Sequence, residues 1–171
     1  MRRVALSLFL GAVFAVAAMQ AQNRMSEEAR TAYQPIKSNI LKAAEKMPES
    51  EYSFKPAPEV RTFGQLVAHV AEAQTAICGI AKGVPPKLGA LSSTTAKADL
   101  VAALKSSNEY CDGVYAAMTD QDGAEIVKTP FGQKPKLGVL NFNVQHDAES
   151  YGTMVVYLRI KGIVPPSSEG K

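Results

Sequence analysis

The chain holds two histidines, and each is followed three positions on by a glutamate, in His69-Val-Ala-Glu72 and in His146-Asp-Ala-Glu149. On a helix, residues three or four apart share a face, so each pair can aim an imidazole and a carboxylate at one point. Helical bundles build metal sites from such pairs on facing helices. Nitrogen and oxygen donors of this kind suit zinc, nickel or iron. A cation held there would activate water or a thiol. The same spacing also fits two solvated surface pairs, and sequence alone does not bring His69 next to His146. No Gly-rich phosphate loop is present, and no Ser, His and Asp can be placed in contact from the sequence.

Four segments that carry apolar residues at helical spacing would position these groups. The first runs from about Ser26 to Lys46, with Ala29, Tyr33, Ile36, Ile40, Ala43 and Met47 on one stripe. Pro35 lies inside it, which predicts a kink or a late start. The second runs from Phe63 to Lys82 and carries His69. Thr62 and Gln65 form a capping-box pair at its start, and Gly83 with Pro85-Pro86 ends it. Its stripe is Phe63, Leu66, Val67, Val70, Gln74, Ile77 and Ala81.

The third segment, Ala96 to Met118, follows Thr94-Thr95 and carries Leu100, Leu104, Cys111, Tyr115 and Met118. The fourth, Leu137 to Lys161, carries His146 on a helix whose expected stripe is Leu137, Leu140, Val144, Ala148, Tyr151, Val155 and Leu158. Gly162 and Pro165-Pro166 stop it. Residues 121–136 contain several Gly and Pro and read as an irregular loop. Four amphipathic helices without a clear strand pattern predict an all-α, four-helix bundle.

The cysteines act as a ruler for topology. Cys78 and Cys111 each lie sixteen positions after a helix-start threonine, Thr62 and Thr95. Parallel second and third helices would put both sulfurs at one height. Antiparallel helices would separate them by roughly 18 Å, out of disulfide reach. A Cys78–Cys111 disulfide therefore predicts an up-down-down-up bundle. The alternative is two free cysteines acting as small buried hydrophobes.

The first residues read differently from the rest. Arg2 and Arg3 precede an apolar run from Val4 to Ala18, with small residues at Ala17, Ala18 and Ala21. That is the order of a secretory signal peptide over residues 1–21, with cleavage after Ala18 or Ala21. The expected location is therefore exported, periplasmic or secreted, with no membrane attachment after cleavage. Without Arg2 and Arg3 the 19 Lys and Arg become 17 against 16 Asp and Glu. Such near-neutrality gives nucleic acid or an anionic membrane surface no electrostatic footing as a partner.

Two stretches resemble a known family. They are Met47-Pro48-Glu49 through Tyr52-Ser53-Phe54-Lys55-Pro56 with Pro58-Glu59-Val60-Arg61-Thr62-Phe63-Gly64-Gln65-Leu66-Val67-Ala68-His69, and the terminal Tyr151-Gly152-Thr153-Met154 through Gly162-Ile163-Val164-Pro165-Pro166. Both are similar to the DinB/YfiT-like superfamily, and the likeness spans a domain of residues 25–168. It implies an up-down-down-up bundle, homodimers in many relatives, and a divalent metal, zinc or nickel, held by three histidines. Two of those fall on His69 and His146. The third falls on Ser150, whose neutral hydroxyl is a poor ligand, with Glu149 or Asp147 as substitutes.

Two readings of function follow. In one, an exported DinB-like protein keeps a degenerate divalent-metal site at His69, His146 and Ser150 or Glu149, for hydrolase- or transferase-like chemistry. In the other, the bundle is a metal-free small-molecule-binding or interaction module of the cell envelope. A third, purely structural reading hydrogen-bonds His146 to Ser150 or Tyr115 in the core.

Overall fold

The computed structural model describes residues 23–84, 91 and 96–170. The leader assigned to residues 1–21, Pro85-Pro86 and Thr94-Thr95 lie outside them. Four long helices form an all-α bundle: α1 (Arg24–Lys46), α2 (Phe63–Lys82), α3 (Lys97–Ala117) and α5 (Lys136–Ile160). A single turn, α4 (Asp120–Gly123), and a hairpin of β1 (Ile126–Thr129) and β2 (Gly132–Pro135) link α3 to α5.

The helix ends follow from local chemistry. Thr62 Oγ1 accepts from the Gln65 amide at 3.1 Å, while Gln65 Oε1 accepts from the Thr62 amide at 2.9 Å, which satisfies two orphan donors at the start of α2. Gly83, at φ 80°, closes the same helix in the left-handed region that other residues avoid. Pro35 lies inside α1, which starts eleven residues earlier at Arg24 rather than at the proline. The expected late start is therefore wrong.

Packing order follows α1–α3–α2–α5 around the bundle, so α1 and α2 sit on one diagonal and α3 and α5 on the other. One end of the core joins Ala29 and Tyr33 of α1 to Ile77 and Ala81 of α2, Val114 and Tyr115 of α3, and Leu137 and Leu140 of α5. The other end joins Ile40 and Met47 to Phe63 and Val67, Leu100 and Leu104, and Met154 and Leu158. Thus α2 and α3 run parallel to each other and antiparallel to α1 and α5, the up-down-down-up order. The Cys78–Cys111 disulfide spans the parallel pair, with the two Cα atoms 5.5 Å apart.

Two expectations fail. Residues 126–135 are not an irregular loop. Ile126, Val127 and Thr129 are β-branched, and Gly132 at φ 99° opens the return strand after a short turn. On α5 the inward face is rotated by about one position from the apolar stripe. Ala148 is exposed, while Asn143, Asp147 and Ser150 are buried beside Met154 and Tyr157. Polar side chains share the interior there with Leu137, Leu140 and Leu158 of the expected stripe, so apolar periodicity found one edge of the inward face and missed the other.

Candidate functional site

His69 lies in the second turn of α2, and His146 lies near the middle of α5. These helices pack as antiparallel neighbours, and the two side chains meet. Nε2 of His146 is 3.0 Å from Nε2 of His69, with the rings inclined at 63°. The pair forms part of a cleft of about 600 Å³, together with Arg61, Leu66, Glu149 and Ser150. Tyr157 donates to the Arg61 carbonyl at 2.6 Å, which fixes the loop before α2 against α5 and holds the rim of the cleft.

The carboxylates behave differently from their spacing. Glu72 turns away from the pair, where its Oε1 accepts from the Leu91 amide at 2.7 Å. It holds Leu91 in place. Glu149 is exposed but lines the cleft, and Ser150 is buried at its edge. Asp147 is fully buried behind His146, with Oδ1 3.5 Å from His146 Nδ1. It therefore faces the opposite ring nitrogen from the one that meets His69, and does not substitute as a third donor beside Nε2. Neither Ser150 nor Tyr115 takes His146 as a partner. The Tyr115 hydroxyl donates instead to the Leu140 carbonyl at 2.8 Å, which corrects the structural expectation.

A buried polar chain runs inward from the cleft. Asn143 Nδ2 donates to Asp147 Oδ2 at 3.1 Å, and Tyr115 lies beside Asn143. His146 Nδ1 and Asp147 Oδ1 both lack a full hydrogen bond although both are buried. Burial pushes the Asp147 carboxyl up, against the opposing pull of His146 and Asn143. A carboxylate facing Nδ1 favours the proton on that nitrogen. His146 Nε2 then carries a lone pair, and His69 donates its Nε2–H to it. Burial, then the nearby Arg61 guanidinium and His146, hold the His69 imidazole below its ordinary value. Burial favours the neutral form of His69, whose Nε2–H must move to Nδ1 before that nitrogen can hold a cation.

The fit of a divalent cation can be tested on this donor set. Nitrogens each about 2.1 Å from one ion, at right or tetrahedral angles, lie roughly 3.0–3.4 Å apart. The His69–His146 separation fits a shared cation. The set does not fit a three-donor centre, because the third position is a serine and, among the described residues, no group of three His, Cys, Asp or Glu converges. Sequence reasoning missed Arg61 and the burial of Asn143 and Asp147. Arg61 stands directly before the capping threonine, and that position was the available signal.

The family model described as the DinB superfamily matches residues 34–154. No curated protein matches the sequence. Among solved structures, a DinB-like protein from Bacillus cereus is 19% identical with a TM-score of 0.70, over 85% of this chain and 97% of that one. A DinB-like protein from Bacillus subtilis is 16% identical with a TM-score of 0.68, over 84% of this chain and 99% of that one. A mycothiol-dependent maleylpyruvate isomerase is 19% identical with a TM-score of 0.66. It aligns with 75% of this chain, which spans 60% of that enzyme.

Proposed function

The chain belongs to the DinB superfamily, and from that premise we propose that its cleft is a small-molecule site built around a reduced divalent-metal centre. The observation that carries this reading is the 3.0 Å approach of His69 and His146 Nε2 at the cleft. His69 and His146 would hold zinc or nickel, with Ser150 or Glu149 beside them as weak oxygen donors. A cation bound there would supply Lewis acidity for hydrolase- or transferase-like chemistry. Two protein nitrogens leave most of the coordination shell to water or to a ligand. Affinity for the ion alone is therefore weak, and a ligand that offers its own donor raises it.

The residues of the chain perform the remaining tasks. Asp147 orients the His146 ring from behind, and Asn143 holds Asp147. Arg61 presents a guanidinium at the rim for an anionic group on a ligand. One specific observation favours the metal-free binding module instead: Glu72, a carboxylate of suitable type, is engaged with the Leu91 amide and is withdrawn from the pair. In that module the two histidines act as hydrogen-bonding groups toward the ligand.

Export belongs to the same proposal and is supported by the leader-like residues 1–21 and by the Cys78–Cys111 disulfide, a bond typical of oxidising compartments. A homodimer is proposed by family resemblance.

The test is metal content by elemental mass spectrometry, with zinc and nickel titrations of the purified mature chain and of a His69→Ala/His146→Ala variant. Weak binding that disappears in the variant supports the reduced centre. No binding of either ion, with a ligand still recognised, establishes the metal-free module. Tight stoichiometric metal overturns the claim that the site is reduced.

A further inference from the structure

A second cavity lies on the other side of Phe142, away from the histidine cleft. It measures about 550 Å³ and is roofed by the β1–β2 hairpin and floored by α2 and α5. Its floor is small and apolar, with Ala73, Ala76 and Gly138 leaving the room that Ile77, Ile80 and Val139 enclose. A volume of this size accepts an ordinary small organic molecule. Phe131 stands at the hairpin tip with 76% of its surface exposed, and its ring is 5.8 Å from that of Phe142. Two aromatic rings kept this open to water at a cavity mouth gain contact area when an apolar body sits between them and the floor.

Lys134 decides the chemistry of the other end. It pairs with Val127 across the hairpin, and directly opposed residues of an antiparallel pair lie on the same face of the sheet. Val127 packs against the core, so Lys134 emerges on the face turned toward the helices, where it lines the cavity. Among the described residues it makes no ion pair, whereas Lys136, two positions on, is held by Glu125. An unpaired, solvent-exposed ammonium that lines an apolar cavity is complementary to an anion. Asn141 and Gln145 add hydrogen-bonding groups nearby.

We propose that this cavity binds a small molecule with an apolar, ring-containing body and a single anionic group, the body lying against Ala76 and Gly138 between the Phe131 and Phe142 rings and the anion meeting Lys134. The assignment uses none of the groups of the histidine cleft and stands whether or not that cleft holds a metal. Phe142 connects the two, because its ring lies 6.4 Å from that of His146. Occupation of the cavity repacks Phe142 and is sensed at His146.

The probes are 2-naphthoate and its uncharged analogue 2-naphthamide, followed by amide and imidazole NMR shifts of the labelled protein. 2-Naphthoate is expected to shift Ala76, Gly138 and Phe142, and His146 secondarily, with a dissociation constant below about 1 mM. Lys134→Gln and the change to the amide should each weaken binding roughly three- to fivefold, the range of one exposed ion pair. Ala76→Phe fills an exposed floor position and should abolish binding with the rest of the spectrum unchanged. A lysine on a short hairpin also protects its edge from pairing, and equal affinity for acid and amide would leave only that role and overturn the proposal. Shifts confined to His69 and Arg61 would overturn it too. So would a sedimentation mass of two chains that falls to one with Ala76→Phe, since a second copy would then be the occupant.

Discussion

Tyr33 of α1 donates to Oε1 of Gln74 of α2 at 3.0 Å, a hydrogen bond across the diagonal of the bundle between helices that share no wall. Both side chains are fully buried, and the Tyr33 ring stacks on Tyr115 of α3 with centroids 4.4 Å apart. Three helices are thereby registered at one level by two tyrosines and a glutamine. Among the described residues the Gln74 Nε2 amide has no partner, so the glutamine side chain is held there by its oxygen alone.

Tyr33→Phe removes the donor and leaves Gln74 wholly unsatisfied. The expected loss is about 1–3 kcal/mol, the desolvation cost of an unpaired buried polar group. Adding Gln74→Leu, which deletes both stranded atoms, should recover most of it. Urea denaturation of the two variants is the check. A double variant less stable than the single one would show that Gln74 is not the strained partner.

Ser150→His is expected to complete the donor set of the cleft. Groups that only orient a ligand are worth about 10–100-fold in metal affinity, so a full third ligand should add at least that much. Chelator competition with zinc measures it. Unchanged affinity would mean that position 150 does not reach the space between His69 and His146.

The His69 imidazole should titrate below its ordinary value of 6.5, because burial, Arg61 and His146 all oppose its charge. Arg61→Gln should move the midpoint upward, toward 6.5, as followed by the ring-proton shifts. The linkage has a definite sign. The unfolded chain takes up this proton first as pH falls, so the His69 contribution to stability is present above 6.5. It is lost progressively as pH drops from 6.5 toward the lowered folded value. A midpoint above 6.5 in the metal-free protein would contradict the burial of a neutral His69.

Cys78→Ala with Cys111→Ala should lower stability by roughly 3–4 kcal/mol, the chain-entropy value for a closed loop with a sequence separation of 33. Calorimetry should show a fall in Tm on the order of 10 °C. Refolding under reducing conditions tests the same bond without mutation.

The bundle was legible in the sequence where chemistry is local. The Thr62–Gln65 box and Gly83 fixed the ends of α2, and all seven residues of its expected stripe are buried. The cysteine ruler ordered the helices because a disulfide is a distance, and distances constrain topology. What was not legible depends on partners far away in the chain. On α5 the side chains of Asn143, Asp147 and Ser150 are buried, with Asn143 beside Tyr115 of α3, which no pattern on α5 alone reveals. The meeting of His69 with His146 is set by the rotation of two helices about their axes. The use of Glu72 is set by where Leu91 passes.

That contact of Glu72 with the Leu91 amide has a further consequence. Glu72 stands one turn beyond His69 on the same helix, so Leu91 is moored within one helical turn of the cleft. Glu72→Ala would remove the acceptor of the Leu91 amide while leaving every cleft-lining side chain in place. The Glu72–Leu91 contact can therefore serve as an engineered handle beside the site, adjustable from outside the bundle without opening its core.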